Sequence, residues 1–116
     1  MSDCIFCKIV AGELPSKKVF ENEEILAFHD IQPAAPIHVL IIPKKHIASL
    51  ADAQAEDWST IGQMQAAAAQ VARELDVEES GYRVITNVGA NAGQIVHHIH
   101  YHLMGGARLA PLGVHN

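Results

Sequence analysis

The sequence predicts an α+β domain: a mainly antiparallel sheet of five short strands, one long helix and a short helix near the N-terminus. Three observations carry this. Apolar residues recur every three or four positions across residues 54–75, the period of a half-buried helix. Five short apolar or alternating runs are separated by Gly, Pro and Asn. In the last of these runs His98, His100 and His102 alternate with Ile99, Tyr101 and Leu103, the two-residue period of an extended strand.

The elements follow in order. Residues 5–11 place Ile5, Phe6, Ile9 and Val10 at helical spacing and are stopped by Gly12 and Pro15. Residues 19–21 and 25–30 read as strands around the polar turn Glu21-Asn22-Glu23-Glu24. Pro33 and Pro36 forbid regular structure between residues 31 and 37. Residues 38–42 form an almost unbroken apolar run closed by Pro43, which suits a buried strand. The long helix carries Trp58, Ile61, Met64, Ala68, Val71 and Leu75 on one stripe, with Asp52 available as its cap. Its alanines 66–69 favour helix and permit close approach of another element, so that face is read as core or dimer interface. Residues 82–87 form the fourth strand, 89–93 a flexible glycine-bracketed turn and 96–104 the histidine strand, ended by Gly105-Gly106.

At 116 residues the chain supports one hydrophobic core and not two, so residues 1–116 read as a single domain with 107–116 as a C-terminal tail. A net charge of −5 argues against a nucleic-acid binder, which needs excess Lys and Arg to displace counterions. It leaves room for a mononucleotide, whose few charges backbone N–H groups and histidines can meet. No apolar run approaches the length of a membrane span, no signal pattern opens the chain, and two cysteines do not make a secreted disulfide framework. These features point to a cytoplasmic protein without membrane or nucleic-acid partners.

Three histidines on one strand face stand roughly 6.5–7 Å apart, close enough to surround one small anion or metal. A solvated face rich in histidine is the bland alternative, and strict alternation argues against it. The residues alone leave a metal site, an anion site and a nucleophile open. Gly93-Gln94 precedes the strand after a loop whose N–H groups can face an anion, and His38 opens the neighbouring apolar run.

These residues resemble the histidine triad family. Its signature, His-φ-His-φ-His-φ-φ with φ apolar, is met by His98-Ile-His-Tyr-His102-Leu-Met104. The resemblance spans nearly the whole chain, through Ile5-Phe6-Cys-Lys-Ile9, Ala27-Phe-His-Asp-Ile31, Pro36-Ile-His38, Ile42-Pro-Lys-Lys-His46, Asn87, Gly93-Gln94 and Gly105-Gly106. It is closest to the Hint branch, nucleotide-binding proteins that hydrolyse nucleoside phosphoramidates. The branch that hydrolyses diadenosine polyphosphates usually has Gln in place of the last triad histidine, here His102.

The resemblance implies a purine nucleoside phosphoramidase that cleaves P–N bonds through a nucleotidyl-histidine intermediate. Dinucleotide polyphosphate hydrolysis, nucleotidyl transfer and regulatory nucleotide binding are the alternatives. His100 would be the nucleophile, with His98 orienting it through its backbone carbonyl, His102 binding phosphate oxygens and His38 supporting the network. Asp30 would take the ribose hydroxyls, and Ile5, Phe6, Ile9, Phe28 and Ile31 the base, although each of these apolar residues could equally be core. Asn87 and the backbone of Gly93, Gln94 and Ile95 would hold phosphate. Ile95 stands where some Hint proteins carry Ser, and His97 where an aromatic is common. His97 falls on the strand face opposite the triad and is read as packing or interface.

The resemblance also implies a homodimer, an AMP-type ligand and no cofactor in catalysis. In Hint-type dimers the C-terminus approaches the partner's site, so residues 109–116, with His115, are expected to tune specificity. Cys4-x-x-Cys7 with His46 and His98 matches a structural zinc set of some family members, and Cys₂His₂ is sound tetrahedral chemistry. Two small buried cysteines without metal are the alternative. A dithiol redox centre is disfavoured, because no βαβ pattern surrounds the pair.

Overall fold

The computed structural model describes residues 3–112. Its centre is a five-stranded sheet in the order β1-β2-β3-β5-β4, every neighbouring pair antiparallel. The strands are β1 (Lys18–Glu21), β2 (Ile25–His29), β3 (Ile37–Pro43), β4 (Tyr82–Ile85) and β5 (Tyr101–Gly105). Helix α1 (Ile5–Val10) precedes the sheet, and α2 (Trp58–Glu74) joins β3 to β4.

Alternation along the strands sorts the side chains onto two faces. Ile25, Ala27, Val39, Ile41, Tyr101 and Leu103 meet Ile61, Met64, Ala67, Ala68, Val71 and Ala72 of α2 in the larger core. Small alanines at three of those six positions let the helix lie close on the sheet. Leu26, Phe28, Leu40 and Ile42 point the other way and pack against Phe6 of α1, with Ile9 and Val10 half-buried beside them. The second face carries the histidines, because Leu40 pairs with His102 and His38 with Met104 across β3 and β5. Met64 has no exposed surface. Met64→Ala is therefore expected to cost about 2–5 kcal/mol, read as a lower urea midpoint at unchanged m-value.

The last strand is shorter than expected. It begins at Tyr101 rather than 96, because the backbone before it finds partners outside the ladder. The Ile99 N–H donates to the Ile47 carbonyl, the Thr86 hydroxyl to the His100 carbonyl, and the His100 ring to the His98 carbonyl. The same Thr86 bond accompanies the end of β4 at Ile85 instead of residue 87. Strict strand alternation therefore does not govern residue 97. His97 is exposed, beside Cys4, Ile5 and His46, and packs in neither core.

Helix α2 also starts later than the apolar pattern suggests, behind a 3-10 turn at Ala55–Asp57. Asp52 does not cap it, since its carboxylate accepts the Ser49 hydroxyl. Buried Asp57 serves that end, accepting the Gln54 N–H at 2.9 Å and the Lys45 ammonium at 2.6 Å. Those bonds hold its carboxyl below the usual carboxylate range, the Gln54 N–H first. Trp58, at the first turn, is half-exposed and leaves the core stripe.

Candidate active site

His98, His100 and His102 descend one side of the chain into β5, and His38 stands beside them on β3. This is no solvated face. His98 has no exposed surface, and His100 and His38 are buried. Backbone groups place the protons of His38, His98 and His100, and His38 in turn places that of His102, which makes the cluster chemically definite.

His100 donates through Nδ1 to the His98 carbonyl at 2.8 Å. A neutral ring that donates at Nδ1 keeps a lone pair at Nε2, the form a nucleophile needs. Burial pushes its pKa down, opposed by that hydrogen bond and by Asp30. On β3, Nδ1 of His38 accepts the Ala34 N–H at 2.9 Å. Its proton therefore sits on Nε2, which faces His102 Nδ1 at 3.0 Å and Asp30 Oδ2 at 3.5 Å. Accepting from His38 leaves His102 a donor at Nε2. The two rings thus present a nucleophilic nitrogen and a hydrogen-bond donor side by side, 5.0 Å apart by ring centroid.

Asp30, His38 and His102 bring three donor atoms within 4.8 Å of one another, which suggests a cation site. The His38 proton argues otherwise, since Nε2 cannot bond a metal while Nδ1 accepts from Ala34. The trio is a hydrogen-bond relay.

Burial lowers the His102 pKa to about 4, with His100 and His38 adding to the shift and Asp30 opposing it. A ring with a folded pKa below its unfolded value of about 6.5 contributes full stability above that pH and loses it as pH falls toward the folded value. Urea midpoints are expected to drop between about pH 6.5 and pH 4, and His102→Asn to flatten part of that drop. An unchanged slope in the variant would assign the acid loss to other groups.

Phe6 buttresses this cluster from α1. Its ring meets His100 edge-on at 5.1 Å, His98 at 5.8 Å and Phe28 at 5.8 Å. The remaining base-cleft candidates separate. Ile31, almost fully exposed, lines a cavity of about 700 Å³ with Asp30, His38, His29 and Lys17. Ile5, half-exposed, lines another of about 490 Å³ with Cys4, His46 and Ile95. Ile9 is half-buried against the Phe6 cluster. A third cavity of about 750 Å³, beside Arg83 and Arg108, contains none of the histidines.

The loop before the triad is also more committed than expected. Gly89 and Gly93 both have positive φ, +82° and +86°, bracketing a 3-10 turn at Ala90–Ala92 that a side chain at either end would strain. Inside it, the Gly93 N–H donates to Ala90 and the Gln94 N–H to Gly89. Neither amide is available to phosphate without breaking the turn, whereas the Ile95 N–H takes no part in those bonds. The buried Gln94 side chain accepts the Gly89 N–H and donates to the Ala48 and Val96 carbonyls. Ile95 projects outward, 87% exposed, and Asn87 is half-buried just after β4.

Sequence reasoning missed three residues. Lys17 and His29 share the Asp30 cavity, and the Lys17 carbonyl accepts the His29 N–H. His29 stands next to Asp30 in a block already singled out, so it was within reach; Lys17 carries no such signal. Thr86, which holds the His100 carbonyl, looked like an ordinary strand residue. His115 falls outside the described residues.

On the far side of His98 lies a second cluster. Cys4 Sγ is 3.3 Å and Cys7 Sγ 3.6 Å from His98 Nδ1, and Cys7 Sγ is 3.2 Å from His46 Nδ1. All four donor atoms lie within 4.8 Å of one another. Donors at tetrahedral zinc stand about 3.3–3.8 Å apart for bonds of 2.0–2.3 Å, so this set suits a soft divalent cation. His98 donates its Nε2 proton to the Pro43 carbonyl at 2.8 Å, the outer hydrogen bond that metal-binding histidines usually make. Burial lowers its pKa to about 4, opposed by the Pro43 bond and assisted by His46 and His100.

Residues 11–109 match the HIT domain family model. The chain belongs to the HIT domain family. It is 42% identical over 113 residues to the purine nucleoside phosphoramidase of Escherichia coli K12, covering 97% of this chain and 95% of that protein. A HIT family hydrolase from Clostridium thermocellum superposes with a TM-score of 0.93 at 46% identity, covering 98% of this chain and 99% of the other. The histidine triad nucleotide-binding protein of Candida albicans gives 0.80 at 35% identity, covering 98% and 87%. The antiparallel five-stranded sheet with one long and one short helix is thus the HIT fold, as the sequence predicts. Among the described residues, no helix is long and apolar enough to cross a membrane.

Proposed function

We propose that this chain is a purine nucleoside phosphoramidase, cleaving the P–N bond of adenosine 5′-phosphoramidates in two steps. The observation that carries the proposal is the 2.8 Å bond from His100 Nδ1 to the His98 carbonyl, which reserves Nε2 for attack. His100 Nε2 bonds to the α-phosphorus as the P–N bond breaks, and the leaving nitrogen takes a proton from water. Water then attacks the nucleotidyl-histidine, releasing AMP and restoring the free ring. Splitting the displacement lowers each barrier. His102, a donor at Nε2 by virtue of His38, holds the non-bridging oxygens as charge builds on them. Asp30 accepts the ribose hydroxyls, with Ile31, Phe6, Ile5, Ile9 and Phe28 toward the base, and Asn87 and the Ile95 N–H toward phosphate. Gly93 and Gln94 shape the loop that presents that N–H.

The 42% identity to a protein of that activity supports the phosphoramidate over the polyphosphate reading. We further assign the chain, one HIT domain over residues 1–116, to a homodimer. Support comes from half-exposed Tyr82 and Val84 on edge strand β4 and from half-exposed Trp58. Cys4, Cys7, His46 and His98 would hold a structural zinc, which ties α1 to the chain before β5 and supplies no catalytic step. Thiolate ligands persist in a reducing compartment, which supports a cytoplasmic location.

Brief mixing with an adenosine phosphoramidate, followed by intact-protein mass spectrometry, tests the reaction. One nucleotidyl group localised to His100 is expected, with turnover faster than on a diadenosine polyphosphate. Preference for the polyphosphate, or an adduct elsewhere, would overturn it.

A further inference from the structure

His98 belongs to two clusters at once. Its ring stands against the cysteines through Nδ1 and against Pro43 through Nε2, while its carbonyl holds the His100 proton. Phe6 makes a parallel link, since it lies between Cys4 and Cys7 in sequence and packs its ring on both His98 and His100. Cys4 also caps α1, its sulfur accepting the Cys7 N–H at 3.3 Å. Helix α1 has only six residues, a length far too short to hold together alone, and Phe6 is its one buried side chain. The sulfur–imidazole cluster and the Phe6 contacts therefore fasten it to the molecule.

We propose that Cys4 and Cys7 form a peroxide-sensitive clamp on the nucleophile, so that their oxidation releases His98 and disables His100. This rests on His100 acting as proposed above. The two sulfurs lie within 4.8 Å of each other, so a disulfide asks for a local approach rather than a refolded chain. In the reaction one thiolate attacks the O–O bond of a hydroperoxide, giving a sulfenic acid and an alcohol, or water from hydrogen peroxide. The second thiolate then displaces the sulfenic oxygen as water and closes the S–S bond. Two electrons pass from sulfur to peroxide, and both thiol protons leave in the products. A disulfide can no longer serve as two thiolate ligands, so a bound zinc is released and His98 Nδ1 loses its partners. The ring and Phe6 shift together, and the carbonyl that orients His100 moves with them. Displacements of about 1 Å at a reacting group cost about 10²-fold in rate. The pair acts as a sensor beside the site, not as a dithiol oxidoreductase.

The test titrates zinc-loaded protein with hydrogen peroxide. Four readouts are followed: zinc captured by a chromophoric chelator, the Cys4–Cys7 peptide mass, AMP affinity by calorimetry, and phosphoramidate turnover. Zinc release and a peptide two hydrogens lighter should parallel a turnover loss of about 10²-fold and weakened AMP binding. Dithiothreitol with zinc should restore all four. Cys7→His, which keeps four zinc-binding side chains but cannot form the disulfide, should resist peroxide. Full disulfide formation with turnover and AMP affinity unchanged would overturn the clamp, as would equal sensitivity in Cys7→His. If that variant does not fold, the wild-type titration decides alone. Absence of turnover in the reduced protein would instead sink the phosphoramidase reading, and AMP affinity would still report on the clamp.

Discussion

His100→Ala is expected to reduce phosphoramidate turnover by at least about 10⁴-fold while AMP still binds. The asymmetry follows from geometry. His100 is buried with its Nδ1 proton committed to the His98 carbonyl, so only its Nε2 faces the reaction. Removing the ring removes the proposed nucleophilic nitrogen, and no neighbour is placed to replace it. His102 Nδ1 is occupied by His38, and its Nε2 carries a proton. His98 Nδ1 faces the cysteines and its Nε2 faces Pro43. The ribose and base contacts proposed for Asp30 and Phe28 lie outside the substitution, so ligand affinity by calorimetry should stay within about tenfold. Turnover near that of the unsubstituted protein would remove His100 as nucleophile.

The second large effect is expected at His102. His102→Ala should lower kcat by about 10²–10³-fold, the loss typical of one donor to a developing oxyanion. His38 touches no substrate in this reading and acts by setting which His102 nitrogen carries the proton. His38→Ala should therefore lower kcat by less than His102→Ala, with little change in KM. The double variant should be no slower than His102→Ala, because both changes remove one function. Additive losses in single-turnover measurements would show that His38 contributes separately. His38→Gln, able to donate from its amide, should recover part of the loss.

Much of this arrangement was legible from local pattern. Alternation placed the triad opposite Ile99, Tyr101 and Leu103, and these three do lie in the α2-side core while the histidines face away. The apolar run at residues 38–42 and the helical stripe from Ile61 to Val71 were equally plain, since side-chain periodicity follows directly from backbone geometry. The ends of elements were less so. Asp52 and Asp57 are both acidic residues near the start of α2, and Asp57 is the one buried there because the Gln54 N–H and the Lys45 ammonium, the latter from an earlier loop, satisfy its carboxylate. The histidine strand starts late because Ile47 and Thr86, distant in sequence, take backbone groups that a neighbouring strand would otherwise pair.

The sequence by itself placed the three histidines on one face, and its resemblance to the histidine triad family gave the family, the candidate nucleophile and the four residues of the cysteine cluster. The shared face depends on spacing alone, the rest on the matching motifs. Tertiary structure decided which nitrogen of His98 and of His102 carries its proton. That choice rests on partners the chain brings from afar: Pro43 reaches His98 across 55 positions and His38 reaches His102 across 64. It also joined the two roles expected of His98, because the ring that reaches the cysteines and the carbonyl that accepts from His100 belong to one buried residue. An imidazole is acid, base or ligand according to its hydrogen-bond partners, and those partners exist only once the sheet has formed.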